Sequence, residues 1–131
     1  MALIHLYPGM DTWNSNLSDY MNTLESIKNI NIEKCLSNHF DNLLYDINIW
    51  LDRCFKIISN REDNLIRLIQ KKLMSIIELA KNQIIYDSIE RLKWPMNEFV
   101  LFFEQNMLRQ HLNLLVKSGE IKQDNENYFS A

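Results

Sequence analysis

Glycine and proline are nearly missing from this chain, which has two of each in 131 residues. Average usage is about 7% and about 5%. Their scarcity removes the residues that punctuate sheets, tight turns and flexible linkers, and long helices become the economical choice. It also removes chemistry. Backbone approach to a phosphate and the turns of an oxyanion hole generally need glycine, and there is no glycine-rich phosphate loop, no Gly-x-Ser-x-Gly elbow and no Glu-x-x-His pair. The expectation is a protein without enzymatic activity and without a cofactor.

Cysteine is equally sparse. Cys35 and Cys54 have neither zinc-finger nor redox spacing and sit among apolar neighbours, which is how reduced core thiols read. Cys35, His39, Asn42 and Asp46 would share one helical face. The chain offers only His5, His39, His111 and the two cysteines as nitrogen or sulfur donors, too few around that face for a four-ligand structural zinc centre. No metal is expected.

Excess positive charge is missing as well. The net charge is -3, which gives no global electrostatic reason to bind nucleic acid. The distribution is uneven, however: residues 60 to 93 carry seven Lys or Arg against five Asp or Glu, and residues 106 to 123 carry three against one. No stretch approaches the roughly 18 uninterrupted apolar residues of a membrane span. The first residues, Met1 to Pro8, lack the basic flank and the longer apolar core of a secretory signal. A soluble, cytoplasmic protein with no membrane partner is expected.

What is present is helical periodicity in a single domain, residues 1–131. After the Pro8-Gly9 turn, Asp11 or Ser15 would cap a helix whose apolar face is Trp13, Leu17, Tyr20, Met21, Leu24 and Ile27. Asn31 would cap a second helix, from Ile32 through Phe40, Ile47, Trp50, Leu51, Cys54 and Phe55 to Ile58. The polar run Ser59-Asn-Arg-Glu-Asp63 would then start a third, from about Arg61 to Leu92, with Leu65, Leu68, Ile69, Leu73, Ile76, Ile77, Ala80, Ile84 and Ile89 inward. Asp63 with Arg67 and Asp87 with Arg91 would pair on its outer face. Helices two and three, each roughly 40 to 48 Å long, would form a long antiparallel hairpin within a small helical bundle.

Pro95 makes Trp94 a helix boundary. Beyond it, either one helix runs from Met96 to Ser118 and buries Met96, Val100, Phe103, Met107, Leu114 and Leu115, or a turn at Glu104 to Asn106 divides it. The segment Glu120 to Ala131 reads either as a short β-hairpin turning at Asp124-Asn-Glu126 or as a polar tail.

Phe102 and Phe103 are adjacent and cannot both face one core. The doublets at Trp50–Leu51, Ile57–Ile58, Ile76–Ile77 and Ile84–Ile85 widen the apolar stripe beyond what a two-helix hairpin covers. That surplus is taken up either by a multi-helix core wrapped around the hairpin or by association with a partner or second copy. The reading is a mainly α protein–protein interaction module, a regulator, adaptor or chaperone-like accessory subunit that also self-associates as a homo-oligomer. Its partner-binding surface would comprise Trp50, Phe102 and Phe103, with Arg67, Lys71 and Lys72 as a polar rim.

At the other end, Leu108-Arg-Gln-His-Leu-Asn-Leu-Leu-Val-Lys-Ser-Gly-Glu-Ile121 followed by Asn127-Tyr-Phe129 resembles the end of a winged-helix domain, over about residues 97 to 130. In DNA-binding members of that family the matching helix enters the major groove. The resemblance implies an alternative function, transcriptional regulation, with Arg109, Gln110 and Asn113 at bases and Lys117 and Lys122 at phosphates. Other winged-helix modules mediate protein contacts, which suits the acidic balance and the Asp124 and Glu126 of the wing.

Overall fold

A computed structural model describes residues 16–33 and 46–131. The sequence features at Asp11, Trp13, Ser15, Cys35, His39, Phe40 and Asn42 lie outside the described residues. The architecture is mainly helical with a small C-terminal antiparallel sheet.

Helix α1 spans Leu17–Lys28 and starts at Asn16, whose side-chain oxygen accepts the backbone N–H groups of Ser18 and Asp19. That bond satisfies two donors a helix start leaves without an intrahelical acceptor. Helix α2, Ile47–Lys71, begins the same way with Asp46 accepting from Asn48 and Ile49. The polar run Ser59 to Asp63 therefore does not end a helix. It lies within α2, whose apolar positions Leu51, Cys54, Ile58, Leu65 and Ile69 keep one buried face through it.

The third helix expected from Arg61 to Leu92 is replaced by a series of short elements. After α2 come strand β1 (Met74–Ser75), the five-residue helix α3 (Ile76–Ala80), an irregular segment and a 3-10 turn at Ile89–Arg91. Ser75 explains the break. Its hydroxyl accepts the N–H of Glu78 while the Glu78 carboxylate accepts the N–H of Ser75, a reciprocal cap that starts a new helix one residue later. Leu73 and Ile77, expected inward, are exposed in consequence, whereas Ile76, Ala80 and Ile89 are buried. Asp87 falls in the irregular segment, outside any helix that would pair it with Arg91, and Arg67 bonds Asn64.

Helix α4 runs unbroken over Met96–Ser118, the single-helix alternative. It ends at Gly119, φ +81, with the Gly119 N–H on the Val116 carbonyl and the Glu120 N–H on the Leu115 carbonyl. This is the Schellman pattern, which needs a residue comfortable in the left-handed region. Strands β2 (Ile121–Asp124) and β3 (Asn127–Ser130) then form the C-terminal hairpin, turning at Asn125, φ +53. The strand order is β1-β3-β2, so β3 is central and pairs Tyr128 with Met74 on one side and with Gln123 on the other.

Two apolar clusters meet along α2 and α4. One joins Leu65, Ile69, Leu79, Leu108, Leu112 and Leu115 to Ile121 and Tyr128 of the sheet. The other joins Leu17 and Leu24 of α1 to Leu51, Cys54, Ile58 and Met107. Cys54 is a buried free thiol whose pKa burial pushes up, as expected of a core cysteine. Lys28 reaches across from α1 to Asp52 at 3.5 Å and lies 5.7 Å from the Phe55 ring centre, adding a polar tie at the rim.

Candidate functional site

Helix α4 has two halves of different character. From Glu104 onward the buried residues Glu104, Met107, Leu108, His111, Leu112 and Leu115 recur at spacings of three and four and face α2, α3 and the sheet. From Met96 to Phe103 no residue is buried. The first two turns therefore lie at the edge of the core, with Leu101 packed against it and the opposite side left open. They expose Met96 at 55%, Phe99 at 57% and Phe102 at 37%, beside Leu92 at 37% and Trp94 at 79% in the preceding turn.

An apolar groove runs along this end, lined by Pro95, Glu98, Phe99, Phe102 and Phe103. The rings of Phe102 and Phe103 meet edge to face, centroids 5.8 Å apart and planes at 63°, which fixes the groove wall. Charge enters the groove only through Glu98, while Arg91 and Lys93 are exposed before Trp94. Met96, expected in the core, is part of this outer face.

The structure brings Phe102 and Phe103 together but sends the other expected partner-binding residues elsewhere. Trp50 is half-buried on α2 against the cluster of Leu17, Leu51 and Cys54, with a buried indole N–H that has no hydrogen-bond partner among the described residues. Arg67 and Lys71 line a separate polar depression with Asn64, Leu68, Asn82 and Asp87. Lys72 is ion-paired to Glu78 at 3.2 Å. These depressions share no lining residue with the aromatic groove.

Arg109, Asn113 and Lys117 are exposed at four-residue steps along the second half of α4 and form one stripe. Gln110 does not join them. Its side-chain carbonyl accepts the N–H of Leu17 at 2.7 Å, so this residue caps α1. Asp19 of α1 lines the same shallow depression as Asn113 and Lys117. Lys122 is exposed on β2, near a hairpin tip carrying exposed Asp124 and Glu126.

The buried polar groups of α4 are the feature that sequence reasoning missed. Glu104 is fully buried, and its two carboxylate oxygens accept the backbone N–H groups of Ile84, Ile85 and Tyr86 at 2.8 to 3.2 Å. Burial pushes its pKa above the ordinary carboxylate value, against the pull of these donors and of Arg61. His111, seven residues further on, is also fully buried, with Nδ1 3.5 Å from Glu62 of α2. Burial lowers its pKa, and Nε2 has no hydrogen-bond partner among the described residues. This pairing fits a neutral ring with its proton on Nδ1. The helical spacing 104, 108, 111, 115 could have flagged both as inward.

Among the described residues no group of three or more His, Cys, Asp or Glu is arranged to hold a metal. No described helix is long and apolar enough to cross a membrane. No protein-family model matches the chain. No curated protein is significantly similar to it.

Proposed function

We propose that this chain is a non-enzymatic protein-docking module, an adaptor or regulatory subunit that engages another protein through the aromatic end of α4. The observation that carries the reading is an apolar groove lined by the exposed Phe99 and Phe102, with Leu92, Trp94 and Met96 also exposed in the residues that lead into it. Tyr, Trp, Phe and Met are enriched at the centre of protein interfaces, and charged groups are depleted there and kept to the rim. The long helix leading through Gly119 into the β2–β3 hairpin, with β1 added to β3, supports a winged-helix-like reading of this half of the chain.

The alternative of DNA recognition rests on the Arg109, Asn113 and Lys117 stripe. A recognition helix reads base edges with its N-terminal residues. Here those turns carry Glu98, Phe99 and Phe102, a carboxylate that repels phosphate and two rings with no hydrogen-bonding group for a base edge. Asp19 beside Lys117 and the acidic wing tip oppose phosphate contact further.

Fluorescence anisotropy with labelled duplex DNA separates the two. The docking reading expects only weak binding that collapses as salt rises from about 50 to about 200 mM. Micromolar or tighter binding at the higher salt, abolished by Arg109→Ala or Lys117→Ala and untouched by Phe102→Ser, would overturn it.

A further inference from the structure

We infer that the aromatic face of α4 takes a second copy of the same chain across a two-fold axis, an inference that rests on the protein-docking reading above. A two-fold interface is built from one patch that must complement itself. This patch holds both halves of such a fit. Trp94 is its most exposed side chain, and the apolar groove of Pro95, Glu98, Phe99, Phe102 and Phe103 begins at the very next residue. In a symmetric pair each indole enters the groove of the other copy.

The charges follow the same logic. Arg91 and Lys93 precede Trp94, while Glu98 lies one turn into α4 and lines the groove. A rotation that carries each Trp94 into the opposite groove carries the adjoining Lys93 toward the Glu98 that lines it, with Glu90 and Arg91 further back along the chain. The size is also adequate. Aromatic side chains bury about 150–250 Å² each when covered. Given their exposures, three of them with Met96 and Leu92 offer on the order of 500 Å² per copy. Two copies then remove on the order of 1,000 Å², the lower bound of a specific interface, which fits a weak, concentration-dependent dimer.

Sedimentation velocity over a range from low micromolar to several hundred micromolar tests this, with circular dichroism melts to verify that each variant folds. The expected result is a reversible monomer–dimer equilibrium that Trp94→Ser shifts roughly tenfold or more toward monomer. Lys93→Glu should weaken the dimer, and Lys93→Glu combined with Glu98→Lys should restore it. A monomer at every concentration would overturn the second copy as occupant. So would a dimer indifferent to Trp94→Ser and not rescued by the double exchange. Neither outcome touches the docking reading, which fails instead if DNA is bound tightly through Arg109 and Lys117.

Discussion

Glu104 accepts the backbone N–H of Tyr86 at 2.9 Å, eighteen residues back along the chain, and does so from a fully buried position on α4. With the bonds from Ile84 and Ile85, one carboxylate takes the place of secondary structure for a segment that has none. The segment is bracketed by Gln83 and Ser88, both in the left-handed region, so its three consecutive N–H groups turn toward α4 together. Buried backbone donors must find an acceptor, and here the acceptor is a side chain.

Glu104→Ala leaves those three donors without it. Each buried orphan costs about 1–3 kcal/mol, partly relieved when the segment opens to water. Urea denaturation should show a loss of roughly 2–4 kcal/mol, and hydrogen exchange at Ile84 to Tyr86 should become fast. Glu104→Gln keeps one oxygen and should lose clearly less. A loss below about 1 kcal/mol in the alanine variant would mean that packing of Ile84 and Ile85 alone holds the segment.

His111 should make the protein sensitive to mild acid. Its folded pKa lies below the ordinary value of 6.5, so between the two values the unfolded chain binds more protons. Stability from this group is present above pH 6.5 and is lost as pH falls through the folded pKa. Glu104, shifted upward, acts in the opposite sense, its contribution falling as pH rises from 4.5. Denaturation midpoints measured between pH 7.5 and 5.0 should fall in the wild type and fall less in His111→Gln. Equal acid slopes in the two proteins would assign the loss to other groups.

Gly119→Ala tests the end of α4. An added Cβ would meet no atom within 4 Å, so any cost comes from the backbone conformation alone, φ +81. Holding a non-glycine residue in the left-handed region costs roughly 1–2 kcal/mol. Asparagine tolerates that region better, so Gly119→Asn should lose less than Gly119→Ala, with the β2–β3 hairpin intact by NMR. Equal losses would show that something besides φ is at stake.

Much of the local grammar was legible. Gly119 marks the exit from α4, Pro95 marks its entry, and the hairpin strands fall where short alternation and Asp124-Asn-Glu126 put them. The stretch from Arg61 to Leu92 misled because a polar run at Ser59 to Asp63 looks the same on a helix surface as at a helix boundary. Leu73 to Ile77 suits a strand as well as a helix, and tertiary pairing of Met74 with Tyr128 decided the matter. The signal that would have located the break is Ser75-x-x-Glu78, a capping box ahead of an apolar run. At the candidate site, the adjacent Phe102 and Phe103 stood out in the sequence as a doublet one core face could not hold, but that they meet edge to face along one groove was not legible. Nor was the exposure of Trp94, Met96 and Phe99, since it depends on which side of α4 the other elements cover.

The strand order β1-β3-β2 joins one local and one distant pairing in a single sheet. The β2–β3 hairpin closes over a few residues and can form quickly, whereas β1 is two residues long and its partner in β3 lies about fifty residues downstream. So short a strand cannot hold that closure by itself, and Ser75 is also committed to starting α3. Met74 of β1 and Tyr128 of β3 share the apolar cluster of Leu79, Leu108 and Leu112, so the third strand is held by helical packing more than by its own two-residue ladder.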